Sequence, residues 1–70
     1  MRILLRHTKT GKYYQTPAIW TDHAEQATSF GSSGEAILAA YEKKFKDVEI
    51  LLAFEDSLYN IRVPLNPPEG

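Results

Sequence analysis

The chain has 70 residues, 43% of them hydrophobic and 24% charged, with a formal net charge of −1 and no cysteine. That length makes one domain whose core supplies only about 3–5 kcal/mol of net stability, and the missing cysteine excludes disulfides, thiolate metal sites and a thiol nucleophile. No apolar run approaches the roughly 18 residues that cross a bilayer, and MRILLRH meets a charge too soon for a secretory leader, so a cytoplasmic protein with no membrane association is expected.

The segment RILLRHTKTGKYYQ reads as a hairpin, with strands near residues 2–8 and 12–16 around a turn whose Gly11 can take a positive φ. Pro17 stops ladder donation, and AIWT resumes as an extended or edge segment. Asp22 with Glu25 three residues on forms a capping-box pattern for a short helical turn from His23 to about Thr28, with Ala24, Ala27 and Phe30 as its buried stripe. Gly31 is expected to end that turn. Ser32 and Glu35 then repeat the pattern at the start of the main helix, the serine accepting the Glu35 amide and the glutamate reaching back to the Ser32 amide.

The main helix is predicted over residues 33–45, burying Ile37, Leu38, Tyr41 and Phe45 with Ala36 and Ala40 between them, while Glu42, Lys43, Lys44 and Lys46 face water. VEILLAF returns to the sheet with Val48, Ile50, Leu52 and Phe54 on one face and Glu49, Leu51 and Ala53 on the other. A turn at EDSL leads into a further strand in which Tyr59, Ile61, Val63 and Leu65 alternate with Asn60, Arg62 and Pro64. The result is a single α+β domain over 1–65 with a mobile tail at 66–70. Its arrangement is ββ(α)αββ, an antiparallel or mixed sheet of three to four strands with the main helix and the short turn packed on one face.

With one face covered, Leu4, Leu51 and Ala53 would lie on a bare apolar sheet face, which points to self-association as a homodimer. Charge is also uneven, since residues 1–20 hold Arg2, Arg6, Lys9 and Lys12 and no acid, whereas residues 21–70 hold four bases and nine acids. Cations at Arg6, Lys9 and Lys12 beside rings at Tyr13, Tyr14 and Trp20 could serve a nucleic acid, although tyrosine and tryptophan in a chain this short more often build the core. The candidate interaction surface is therefore Leu4, Arg6, Lys9, Lys12, Tyr13, Tyr14, Trp20 and Leu51.

Gly31-Ser32-Ser33-Gly34 lacks the Lys-Ser/Thr of a phosphate-binding Walker loop and the third glycine of a dinucleotide fingerprint. His7 and His23 have no readable partners for catalysis or metal binding, and Glu55-Asp56 sits in a turn, where such carboxylates usually accept backbone amides. No cofactor, metal site or enzyme activity is expected.

The strand, helical turn, GSSG, helix and strand over residues 12–54 resemble in outline the minimal core of RNA-binding KH domains, but no Lys or Arg stands between these glycines. More broadly, KYYQ, the Trp20-Thr21 pair, the helix start and VEILLAFED resemble a family of small uncharacterised bacterial proteins of about this length, over residues 2–65. That resemblance implies a common fold and carries no functional residue. The expectation is a non-enzymatic protein acting through protein contacts, with nucleic-acid binding through the hairpin and the GSSG loop as the alternative.

Overall fold

The computed structural model describes residues 1–16 and 18–65, and the expectations for Pro17 and for the tail at 66–70 lie outside the described residues. Five strands form one antiparallel sheet: β1 (Arg2–His7), β2 (Tyr13–Thr16), β3 (Ile19–Thr21), β4 (Val48–Ala53) and β5 (Ile61–Pro64), in the order β3-β2-β1-β4-β5. One helix, α1 (Ser33–Glu42), and two 3-10 turns, Ala24–Gln26 and Ser57–Tyr59, complete the described fold. The AIWT segment is thus a paired edge strand, and the sheet has one strand more than the sequence pattern indicates.

β1 sits at the centre because Ile3-Leu4-Leu5 is a continuous apolar run, the pattern of a strand buried on both faces. It pairs with β4 over six residues, from Arg2 opposite Ala53 to His7 opposite Val48. The hairpin to β2 closes as the sequence requires. Gly11 takes φ +75° and donates to the His7 carbonyl at 2.8 Å, while the His7 amide donates to Lys12 at 2.7 Å.

Two cores form, one on each side of the sheet. On the helix side, Ile3, Leu5, Tyr14, Val48 and Ile50 pack with Ala36 and Ala40 of α1. Beside them Tyr14, Trp20, Phe30 and Phe45 form an aromatic cluster with ring centroids 5.1–5.9 Å apart. On the opposite side Leu4 and Leu51 lie under Ala24 and Ala27. Leu4 and Leu51 are buried within the single chain, so the bare apolar face expected from the sequence does not exist. The short turn crosses to the far face instead of joining α1.

A strap over residues 22–30 makes this possible, and it is anchored by hydrogen bonds from the sheet. The Arg2 guanidinium donates to the Ala24 carbonyl at 2.6 Å and to the Ala27 carbonyl at 2.7 Å. The Thr28 amide donates to Tyr14 and the Phe30 amide to Ile3, the latter as an isolated bridge. Between Ala27 and Phe30 the chain passes from one core to the other.

The first turn is capped differently from expectation. Asp22 makes no capping bond; the buried Thr21 hydroxyl accepts the His23 amide at 3.1 Å and donates to Gln26 Oε1 at 3.1 Å. Thr21 ends β3 with its hydroxyl buried under the strap, where it fixes the residue that starts the turn, and no side chain caps the turn itself. Gly31 ends no helix and has no positive φ. It follows an extended bridge, and its small size matters for another reason: a Cβ there would lie 2.9 Å from Glu35 Oε2.

α1 starts as expected, with Ser32 Oγ accepting the Glu35 amide at 3.1 Å, but Glu35 Oε2 accepts from the Gly31 amide at 2.9 Å rather than from Ser32. The helix ends three residues early, at Glu42. The Phe45 amide donates to Ala40 and the Lys44 amide to Tyr41, a Schellman closure with Lys44 in the left-handed region at φ +55°. The buried stripe is narrower than expected, with Ile37 and Phe45 half-buried against the core as predicted. Ala36 and Ala40 face the sheet, whereas Leu38 and Tyr41, expected inside, are exposed. Bulky rings already fill the layer beneath, so only small side chains let the helix axis settle onto it.

Candidate interaction surface

The eight residues singled out from the sequence do not form one surface. Tyr14 and Trp20 are on the helix side within the aromatic cluster, and Leu4, Tyr13 and Leu51 belong to the core beneath the strap. The hairpin cations are mostly engaged within the chain. Arg6 Nη1 lies 2.8 Å from Glu49 Oε2, directly across the β1–β4 pair, and the Glu49 carboxylate is almost wholly buried by this contact. A buried carboxylate needs such a partner, because leaving it unpaired costs several kcal/mol. Lys9 stands 3.4 Å from Asp47, an exposed contact of small energetic weight. Among the described residues Lys12 alone of these three cations has no ion pair. The rings that would stack on bases are turned into the core, so the hairpin does not present cations and rings together.

In the Gly31–Gly34 loop the Gly31 and Glu35 amides are taken by the chain's own Glu35 carboxylate and Ser32 hydroxyl. An extended bridge, not a helix, precedes the loop. His7 lies on the helix side of the sheet, with Nδ1 accepting the Thr10 amide and its ring edge-on to Trp20. His23 is at the surface of the strap, 3.7 Å from Glu25. Asp56 accepts the Leu58 amide at 3.0 Å and caps the second 3-10 turn, as turn carboxylates do. An open depression of about 610 Å³ lies between Arg2, Glu25, Phe54 and Asn60. Two of its polar side chains are already occupied, Arg2 by the strap carbonyls and Asn60 Oδ1 by the Phe54 amide at 2.8 Å.

The surface that stands out is apolar and was not anticipated. Leu38 and Tyr41 of α1, Leu58 and Tyr59 of the second 3-10 turn, and Ile61 and Val63 of β5 expose between 42 and 87% of their surface. Ile61 and Val63 oppose Leu52 and Ile50, which places them on the helix side of the sheet. Four of the six, Leu58, Tyr59, Ile61 and Val63, lie within six residues of one another along the chain. Large apolar side chains left exposed close together are a common mark of an interaction site. One sequence signal does point here: Leu58 and Tyr59 are large side chains in a turn otherwise built of Glu55, Asp56, Ser57 and Asn60.

The sheet's own edge at β5 is blunted against another strand. The Leu65 amide donates inward to Val48, so the backbone groups of Pro64 point outward, and proline has no N–H to offer there. Arg62 adds a charge to the same edge.

Comparison with known protein families, with curated proteins and with solved structures finds no match. Among the described residues no helix is long and apolar enough to cross a membrane.

Proposed function

We propose that this chain works as a protein-contact module, with the α1, second-turn and β5 surface as its docking face. The observation that supports it is the exposure of Leu38, Tyr41, Leu58, Tyr59, Ile61 and Val63 in a fold whose other large apolar side chains mostly lie in two packed cores. Water gains where such side chains are removed from it, at about 25 cal/mol per Å², so a partner that covers them has a ready driving force. Placement of hot-spot types such as tyrosine in this region fits the same role.

A photo-reactive residue placed at Ile61, with one at Glu25 on the strap as the control, tests the reading in an extract of the cells that make the protein. Protein adducts at position 61 in clear excess over position 25 are expected. Equal yields at both positions, or adducts to nucleic acid alone, would overturn it.

A further inference from the structure

Charge at the two ends of this surface differs in sign. Lys43, Lys44 and Lys46 follow the C-terminus of α1, at the end of the sheet where β4 begins. Glu55 and Asp56 follow the last residue of β4, at the opposite end, roughly 20 Å away at about 3.3 Å per strand residue. Among the described residues none of these five charges has an ion-pair partner. The apolar side chains of β5 lie between the two ends.

We infer that the occupant of the docking face is a second copy of this chain, related by a twofold axis that runs β5 and α1 of one copy antiparallel to those of the other. This rests on reading the face as a protein contact. A twofold interface must be complementary to itself. Antiparallel apposition meets that condition, because it sets the lysines of each copy against Glu55 and Asp56 of the other. With a net charge of −1, two copies meet without a long-range Coulomb barrier.

Sedimentation over a concentration series, at 50 and 500 mM salt, tests the inference with the full chain. The wild type is expected to dimerise in the micromolar range, more weakly at high salt. Two variants reverse one end each: Lys43→Glu with Lys46→Glu, and Glu55→Lys with Asp56→Asn. All four positions are exposed, and circular dichroism verifies that both variants fold. Each variant alone is expected to self-associate about tenfold more weakly, as two to four exposed pairs turn repulsive. An equimolar mixture is expected to regain wild-type affinity, since the mixed dimer again sets acid against base at both ends.

A wild type that stays monomeric at 100 micromolar overturns the inference, and protein adducts at position 61 would then leave the contact-module reading standing with another partner. A dimer indifferent to either variant, or a mixture that recovers nothing, overturns the antiparallel arrangement and the inference with it.

Discussion

At the scale of single residues, the chain places side chains where local backbone geometry is unfavourable and neighbouring contacts hold them. Lys44 closes α1 in the left-handed region, where a side chain costs about 1 kcal/mol and glycine costs little. Lys44→Gly is therefore expected to stabilise the fold by about 0.5–1 kcal/mol, read as a rise of several degrees in Tm for a domain of this size. Ser32 does the opposite work at the other end of the helix, and Ser32→Ala should cost about 1 kcal/mol in chemical denaturation. The Ser32 cap was legible from the sequence because its geometry is local. The Asp22 cap does not form, and the bond that Thr21 makes instead to the His23 amide depends on a non-local event, the pairing of β3 with β2 that turns its hydroxyl under the strap.

Among the elements, the strap over residues 22–30 decides the architecture. It covers Leu4 and Leu51, and Arg2 holds it down with two charge-assisted bonds to carbonyls. Arg2→Met keeps the stem and removes those bonds. A loss of about 2–3 kcal/mol is expected, together with faster amide exchange across residues 24–30 while α1 and the hairpin stay protected. The strands and the start of α1 could be read from alternation, turn glycine and capping pattern. Periodicity could not show which side of the sheet the strap would take, because Ala24, Ala27 and Phe30 are apolar at helical spacing whichever face receives them. The same ambiguity widened the helix stripe to Leu38 and Tyr41, whereas the face that meets the sheet is Ala36 and Ala40 flanked by Ile37.

For the molecule as a whole, the two edges of the sheet are finished in different ways. β3 is only three residues long, and β5 carries an outward Pro64 and the charge of Arg62. Pro64→Val supplies an outward N–H on a strand that already displays Ile61 and Val63. Larger assemblies than those of the wild type are expected from that variant by light scattering. Of the exposed apolar side chains only Leu58 and Tyr59 stood out in the sequence, since alternating Ile61 and Val63 look like ordinary core positions until the strand is known to lie last in the order.

The passage of the chain between Ala27 and Phe30 ties the stability of one layer to that of the other. Ala27 closes the core over Leu4 and Leu51, Phe30 joins the aromatic cluster three residues later, and β1 feeds alternate side chains into both. With Arg2 in place to hold the strap, the shared strand and this passage couple the two layers, so wild-type unfolding is expected to be all-or-none despite the two separate cores. The near-ultraviolet signal of the aromatic cluster and the exchange protection of Leu4 and Leu51 should vanish at one denaturant midpoint. Two midpoints would mean that the strap is a detachable cover and not a hinge pin between the layers.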